Sequence, residues 1–212
     1  KKAPKELPPD IIKRLPFRTN YDDNYFRDRY QGIPIGGYTS IFKRLLDGIK
    51  VDLETDFLQE RDNWLKKYDH IIYTGPIDAF FDYEKGILEY RSLRFENKLE
   101  NTPDYQGNAI INYTEEQVPY TRVAEHKHFD MDYSREKSLI TYEYPQDRKP
   151  GLTEFYPVNT VHGDNLIKEY KTMSFELKPK ITFGGRLAEF RYYDMHQIIG
   201  AALHSSRNIS LS

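Results

Sequence analysis

The chain contains 212 residues, with 31 basic and 33 acidic side chains and a formal net charge of −2. This balance excludes a strong global field, so we expect neither nucleic acid nor a membrane surface as a partner. The sequence contains no cysteine, which excludes disulfides, thiolate nucleophiles and zinc ribbons and is compatible with a cytoplasmic location. It also contains no apolar run that approaches the length of roughly 18–20 residues that a membrane-spanning helix needs.

The N-terminal part of the sequence is charged, rich in proline and nearly without periodicity. It begins Lys1-Lys2-Ala3-Pro4 with no initiator methionine, and we interpret it as a processed or truncated chain. Residues 1–36 contain one helical pattern, at residues 11–14, followed by a long irregular segment. Long irregular segments in compact domains are often functional or mobile.

The next forty residues alternate between helical and strand-like patterns. They predict a helix over residues 38–47, a strand over residues 49–53 and a second helix or turn through Trp64. A short apolar run within residues 68–76 stops at a Gly-Pro pair, which predicts a buried and parallel strand. This order indicates a fragment of an α/β layer.

The middle of the chain has a different pattern, with many Tyr, Ile and Val residues between turns rich in Asn, Pro, Asp and Gly. It predicts an antiparallel meander of strands over residues 88–95, 108–113, 120–129 and 138–144. The last part predicts a helix, a strand and a final amphipathic helix over residues 164–175, 180–183 and 195–203. The sequence therefore predicts a mixed α+β fold.

The predicted last strand ends in Gly184-Gly185, followed by Arg186 and an aromatic and acidic stretch that leads into the final helix. Glycines let a backbone approach a ligand closely, helix N-termini bind anions, and Arg suits phosphate. The alternative is a plain strand–turn–helix in which Arg186 pairs with Glu189 or Asp194. Spacing alone favours this alternative.

Arginines and tyrosines form a second pattern. Several of each lie among aromatic or apolar residues, namely Arg14, Arg91, Arg122, Tyr25, Tyr120, Tyr156 and Tyr192. Guanidinium charge combined with phenol donors suits a diphosphate. The alternative is that these arginines lie on the surface and that the tyrosines pack in a sheet.

The segment His126-Lys127-His128 places two imidazoles on one face of a predicted strand, as in half of a metal site. Glu125 is expected on the opposite face and no third ligand is near in sequence, so we predict no metal. The sequence has no Gly-x-Gly-x-x-Gly motif, P-loop or Gly-x-Ser-x-Gly motif. A nucleotide or flavin site would therefore be incomplete within this chain.

Ordered motifs nevertheless link most of the sequence to a known family. They are Ile12-Lys13-Arg14, Asp23-Asn24-Tyr25-Phe26, Tyr30-Gln31-Gly32-Ile33-Pro34, Tyr73-Thr74-Gly75-Pro76-Ile77-Asp78, Leu88-Glu89-Tyr90-Arg91-Ser92-Leu93, Pro119-Tyr120-Thr121-Arg122, Glu125-His126-Lys127-His128, Tyr156-Pro157-Val158-Asn159 and Gly184-Gly185-Arg186-Leu187. In this order they closely resemble bacterial UDP-galactopyranose mutases, from about residue 4 to about residue 203.

The resemblance implies an antiparallel substrate-binding sheet with interleaved elements of a Rossmann-like flavin domain. Residues 1–36 would be the end of a helical domain and a mobile substrate lid, and residues 37–76 would belong to the flavin domain. The sheet domain would occupy residues 77–175, and residues 176–212 would return to the flavin domain with a C-terminal helix.

The resemblance also implies an activity, the interconversion of UDP-galactopyranose and UDP-galactofuranose with reduced FAD. Flavin N5 would attack the anomeric carbon and displace UDP. The protein would bind and orient the reactants and compensate the charge of the leaving UDP. The implied partners are UDP-galactose, FAD and the N-terminal segment of the family, which this sequence lacks. A homodimer is compatible with the resemblance.

The resemblance implies roles for individual residues. Arg14 on the lid and Arg122 resemble the catalytic arginines that grip the diphosphate. The implied substrate contacts, among them Asn112 for uridine and Arg91 for the sugar pocket, are Arg14, Tyr25, Arg29, Arg91, Asn112, Arg122, Tyr156, Tyr192 and Asp194. The implied flavin contacts are Asp56, Phe57, Arg186, Tyr193, Asp194, Met195, His196, Gln197 and Ile198.

The sequence departs from the family at three features: the dinucleotide fingerprint, the histidine on the other face of the flavin and the uridine-stacking Trp are all absent. We therefore expect this chain to hold FAD incompletely and not to be competent alone. The alternatives are a non-catalytic module that binds a UDP-sugar and an interaction protein that uses an aromatic sheet face.

Overall fold

A computed structural model of the protein describes residues 18–22, 24, 26–130, 134–149, 151–158 and 160–209. The predicted short helix at residues 11–14, Arg14 and Tyr25 lie outside these residues. The chain divides into two compact units. Unit 1 contains residues 1–51 and 95–144, and unit 2 contains residues 52–94 and 145–212.

Short helices and strands make up both units. The helices are α1 Thr39–Leu45, α2 Arg61–Lys67, α3 Ile77–Phe80, α4 Lys127–Asp130, α5 Val161–Glu176, α6 Gly185–Ala188 and α7 Met195–Asn208, with a 3₁₀ turn at Phe57–Glu60. The strands are β1 Ile71–Tyr73, β2 Tyr90–Glu100, β3 Ile110–Asn112, β4 Arg122–Glu125, β5 Ser138–Asp147, β6 Tyr156–Pro157 and β7 Ile181–Phe183. This composition confirms the predicted mixed α+β fold class. None of the described helices combines the length and the apolar character that crossing a membrane requires.

The larger sheet confirms the predicted antiparallel pairing but corrects the simple meander, because β2 lies between β5 and β6 and not beside β3, the next strand along the chain. Its strand order is β3-β4-β5-β2-β6, and the long strands β2 and β5 belong in part to each unit. In unit 1, Val123 lies directly opposite Tyr142, and both pack with Ile140 in a buried cluster. Tyr120 closes this cluster with its ring edge-on to Tyr142 at a centroid distance of 5.0 Å. Cross-strand pairs of this kind stabilise a sheet through side-chain burial.

The smaller sheet lies in unit 2 and is parallel. β1 pairs with β7, with Ile71 opposite Ile181, which confirms the parallel pairing predicted for the first of these strands. Tyr73 and Phe183 cover one face together with Phe80. The strand is not buried on both faces, however, because the side chain of Ile72 is 58% exposed.

Helix α5 forms where helical spacing predicts it, although it begins earlier than expected. Its first turn is capped by Thr160, whose hydroxyl oxygen accepts a hydrogen bond from the Gly163 amide at 3.0 Å. This satisfies one of the unpaired amides at a helix start. Leu166, Ile167 and Tyr170 then fall on one buried face and pack in the main core of unit 2.

Two predicted strands differ in the structure. Residues 49–53 form no strand, and their apolar side chains are exposed. The alternation of apolar and polar residues predicts a strand with one buried face, but a strand also needs a neighbouring strand to pair with. The strand predicted over residues 120–129 ends at Glu125, because the chain turns into α4. The Lys127 ammonium holds that turn by donating to the carbonyls of Pro103 and Arg135.

A buried ion pair connects several segments of unit 2. Asp78 is fully buried. Its carboxylate accepts hydrogen bonds from the amides of Ala79 at 3.0 Å and Leu88 at 2.9 Å. Arg148 Nη1 lies 2.5 Å from Asp78 Oδ2, and the same guanidinium pairs with Glu154 at 2.8 Å. A carboxylate taken out of water to this extent requires such partners.

Replacing Arg148 by Met should lower the free energy of unfolding by about 3–5 kcal/mol, because it leaves the charge of Asp78 buried and unpaired. Urea denaturation at neutral pH measures this difference. The double variant Asp78→Asn/Arg148→Met removes both charges and should recover part of the loss. Lys85→Met breaks an exposed pair with Glu84 and should leave stability unchanged. A loss below about 1 kcal/mol for Arg148→Met, the range of a surface pair, would contradict this role.

Candidate functional site

Four of the residues predicted to contact a ligand are neighbours in unit 2. The antiparallel pairing of β2 and β6 places Arg91 opposite Tyr156. The rings of Tyr156 and Tyr192 meet edge-on with centroids 6.1 Å apart. The guanidinium carbon of Arg186 lies 4.9 Å from the centroid of the Tyr192 ring. Two phenols and two guanidinium groups are therefore gathered beside β6.

Arg186 is held by backbone carbonyls. Its Nη1 donates to Phe155 O at 3.1 Å, and its Nη2 donates to Tyr193 O at 2.5 Å. The structure therefore shows carbonyl partners in place of the acidic partners that spacing alone favoured. Tyr193 itself is buried, and its hydroxyl donates to Glu189. Burial, together with this hydrogen bond, raises the pKa of the Tyr193 hydroxyl above its ordinary value.

Arg91 has an acidic partner that the sequence did not reveal. Its Nη1 lies 2.5 Å from Oδ1 of Asp147, at the end of β5, and the side chain of Asp147 is 90% exposed. Water and salt screen such a pair, so its net contribution to stability is small. An anionic ligand group can therefore replace the Asp147 carboxylate at Arg91 at low cost.

The start of α7 carries most of the predicted flavin contacts. Asp194 and Gln197 form a reciprocal capping box, in which the Asp194 amide donates to Gln197 Oε1 at 2.9 Å. Met195 and His196 follow in the exposed first turn, and Ile198 donates its amide to Asp194 O at 3.0 Å. A ligand at this helix start would have to share the Gln197 amide, which already donates to the Asp194 side chain.

The side chains of Asp56 and Phe57 have structural roles. Asp56 Oδ1 accepts from the Leu58 amide at 2.9 Å and caps the 3₁₀ turn. The ring of Phe57 packs against Tyr73 at a centroid distance of 5.5 Å. A ligand contact here would therefore use the backbone, as the resemblance implies, and it stays a prediction.

Unit 1 brings Arg122 and Asn112 together. Pairing of β3, β4 and β5 puts Asn112 opposite Arg122 and Arg122 opposite Glu143. Arg122 Nε donates to Asn112 Oδ1 at 3.2 Å, and Arg122 Nη1 lies 3.5 Å from Glu143 Oε2. The side chain of Arg122 is 45% exposed, so it remains accessible to a ligand. Arg29 is also exposed, with its guanidinium carbon 5.2 Å from the Tyr30 ring centroid.

The structure corrects the prediction for the histidine segment. Because the chain turns into α4 after Glu125, His128 Nε2 lies 3.3 Å from Glu125 Oε2 instead of on the opposite face. Asp104, distant in sequence, adds a third group, and one side-chain ligand atom from each of the three residues lies within 4.8 Å of the other two. His126 bonds separately to Thr141.

A fully buried carboxylate, that of Glu125, is the centre of this cluster. It accepts from Ser138 Oγ at 2.5 Å and from the amides of Tyr105 and Gln106 at 3.0 and 2.9 Å. Burial alone would raise the pKa of Glu125, but the hydrogen bonds from Ser138, Gln106 and Tyr105 outweigh it, so the pKa lies below its ordinary value. We interpret the cluster as a hydrogen-bonded anchor of the sheet.

The two surfaces combine exposed guanidinium, amide and phenol donors, which is the chemistry of proteins that bind phosphorylated ligands. Comparison with known sequences makes the assignment specific. Residues 1–192 match the UDP-galactopyranose mutase family, and the chain belongs to that family.

Individual relatives agree with this assignment. The chain is 42% identical over 206 residues to a probable UDP-galactopyranose mutase of Klebsiella pneumoniae, covering 96% of this chain and 52% of the relative. It is 39% identical over 209 residues to a dTDP-fucopyranose mutase of Escherichia coli, covering 96% of this chain and 55% of the relative. The chain thus spans about half the length of these curated relatives. A crystal structure of reduced UDP-galactopyranose mutase overlaps 59% of this chain and 37% of its own with a TM-score of 0.42 at 15% identity, a level at which nothing further follows.

The lowered pKa of Glu125 predicts how stability depends on pH. A depressed pKa in the folded state means that the ionised carboxylate stabilises the fold at neutral pH, and that this contribution is lost as the pH falls below about 4.5 and through the folded-state pKa. Glu125→Gln should therefore be less stable by about 1–3 kcal/mol at pH 7. Its deficit should shrink in acid.

Urea denaturation at a series of pH values from 7 down to about 3 tests this prediction. Glu176→Gln, at the exposed end of α5, is the matched control and should follow the wild-type curve. A deficit for Glu125→Gln that stays constant through the acid range would show that the charge of Glu125 contributes nothing.

Proposed function

We propose that this chain carries the nucleotide-sugar-binding part of a mutase that interconverts UDP-galactopyranose and UDP-galactofuranose, which makes the whole protein an isomerase. The observation that carries the proposal is the family match over residues 1–192. The Arg122–Asn112 pair of unit 1 and the Arg–Tyr cluster of unit 2 support it, because both present donors suited to a nucleoside diphosphate.

In this proposal, Arg122 binds the diphosphate of UDP. When the bond between the sugar and the phosphate breaks, negative charge grows on the departing phosphate, and an exposed guanidinium stabilises that charge. Arg14 is proposed to act in the same way from the lid. Because Asn112 Oδ1 accepts from Arg122, the orientation of the amide is set, and its amino group is the donor proposed to meet the uracil.

The remaining substrate contacts are proposed on the same grounds. Tyr156 and Tyr192 would donate hydroxyl hydrogen bonds to phosphate oxygens, and Arg91 would face the sugar once Asp147 gives way. Tyr25 and Arg29 would contact the ligand from the lid, and Asp194 would lie at the edge of the active site.

Reduced FAD, when bound, would supply the nucleophile for the sugar carbon. The described residues suit only part of that cofactor: the α7 start offers a helix N-terminus, but its cap and the guanidinium of Arg186 are already engaged. The sequence has no glycine-rich phosphate loop. We propose that polypeptide equivalent to the remaining length of the relatives supplies the rest of the FAD site.

The identity of the sugar nucleotide has a second candidate. The Escherichia coli relative is a dTDP-fucopyranose mutase, and its 39% identity is close to the 42% of the UDP-galactopyranose relative. A dTDP-sugar is therefore a competing substrate class, and a binding module without catalysis is a further alternative. The domain roles, with residues 1–36 as a lid and residues 77–175 as the substrate sheet, a homodimer and a cytoplasmic location remain part of the proposal.

Isothermal titration of the purified chain with UDP and with dTDP tests the binding half of this proposal. We expect UDP to bind, and Arg122→Ala to weaken its affinity roughly 10- to 150-fold, the effect of losing a charge-assisted contact worth about 1.5–3 kcal/mol. Arg44→Ala, on α1, is the control and should not change the affinity.

The outcomes separate the alternatives. Tighter binding of dTDP than of UDP would favour the dTDP-sugar mutase. Binding of UDP by a preparation that shows no flavin absorbance, even when FAD and polypeptide equivalent to the remaining length of the relatives are supplied, would favour the binding module. Absence of binding by either nucleotide would make the proposed function wrong for this chain.

A further inference from the structure

The guanidinium of Arg186 lies between two segments that each carry a tyrosine of the proposed phosphate site. One of its acceptors is Phe155 O, and Phe155 directly precedes Tyr156; the other is Tyr193 O, and Tyr193 directly follows Tyr192. The first hydrogen bond therefore fixes the peptide unit that joins Phe155 to Tyr156, and the second fixes the carbonyl of the residue that follows Tyr192. The two bonds together determine how far apart these phenols are.

Ring contacts strengthen this arrangement. The guanidinium carbon of Arg186 lies 4.9 Å from the centroid of the Tyr192 ring, and the Tyr192 ring meets the Tyr156 ring edge-on at a centroid distance of 6.1 Å. A planar guanidinium can stack on a ring while its in-plane N–H groups donate in two directions. An ammonium group cannot do both, so Lys cannot reproduce these contacts.

The backbone around Arg186 is held independently of its guanidinium. The Tyr90 hydroxyl donates to Leu187 O at 2.7 Å, and the Arg191 amide donates to Arg186 O at 3.1 Å. Strand β6 is likewise fixed to β2, because the Phe155 amide donates to Arg91 O at 3.0 Å. Loss of the guanidinium should therefore loosen the two phenols relative to each other and leave α6 and β6 in place.

We propose that Arg186 is a positioning residue that sets the spacing of the Tyr156 and Tyr192 hydroxyls for the phosphates of the sugar nucleotide. The inference rests on the proposed function, since it assumes that these two tyrosines contact phosphate. It differs from the flavin contact that the family resemblance implies for Arg186, because it acts through neighbouring residues of this chain and requires no flavin.

The test measures UDP affinity by titration and stability by urea denaturation for the purified chain. Arg186→Met should weaken UDP binding about tenfold, and Arg186→Lys should weaken it nearly as much because geometry, not charge, is lost. In the background Tyr156→Phe/Tyr192→Phe, which keeps both rings but removes both hydroxyls, Arg186→Met should change the affinity no further. Such non-additivity is the mark of residues that act through one another.

Arg61 provides a matched control within unit 2. Its guanidinium also donates to a backbone carbonyl, that of Phe80, and also stacks on a ring, 5.5 Å from the Phe80 centroid. Arg61→Met should therefore affect stability much as Arg186→Met does, while UDP affinity stays at the wild-type level. Arg61 also forms an ion pair with the exposed carboxylate of Asp82 at 2.8 Å, a contact that contributes little to stability. Of the two arginines, Arg186 is the one that lies beside the two phenols.

Several results would overturn the inference. Additive effects of Arg186→Met and the double Phe substitution, or recovery of affinity in Arg186→Lys, would show direct charge contact with the nucleotide. Equal loss of affinity in Arg61→Met would show a global effect of destabilisation, and unchanged affinity in Arg186→Met would show no role. If the wild-type chain binds no UDP, the proposed function itself fails and this inference fails with it, which the wild-type titration alone reveals.

Discussion

The buried ion pair between Asp78 and Arg148 is the interaction on which the part of unit 2 that carries Arg91 and Tyr156 depends. Asp78 fixes the amide of Leu88, just before β2, and Arg148 follows the end of β5 and reaches Glu154, just before β6. The strands that carry Arg91 and Tyr156 are therefore joined at their ends by one guanidinium that pairs with two carboxylates. Because the desolvation of both ions is large, the pair is stable only while every one of these segments stays in place.

Local sequence patterns predicted the helices and strands that have a periodic apolar face to bury. The apolar face of α5 follows from apolar residues that recur every three to four positions. The antiparallel strands follow from apolar residues that recur at every second position. The short elements α3, α4 and α6 were not predicted, because a helix of one turn has no periodicity to recognise. Contacts from elsewhere decide them, as the Lys127 bonds to Pro103 and Arg135 show for α4.

The sequence predicted the basic and aromatic residues of the candidate sites. Residue type and family resemblance identified Arg91, Arg122 and Tyr156, but not the acidic partners Asp147 and Glu143. Those partners depend on which strands pair and in which register, and neither is encoded by spacing along one segment. The same reason explains why Asp104 was not connected with His128 before the structure placed them 3.3 Å apart.

The partners divide the arginines into two kinds. Arg91 and Arg122 face carboxylates, so a phosphate bound there, as in the proposed function, would exchange one anion for another and leave the local charge nearly balanced. Arg186 instead donates to neutral carbonyls that belong to the backbone, and a phosphate that displaced them would remove a charged donor from two partly buried acceptors. Exchangeable pairs suit residues that meet the ligand, while fixed pairs suit a residue that holds others in position. For Arg91, Arg122 and Arg186, the charge of the acceptor therefore indicates which role each guanidinium can fill.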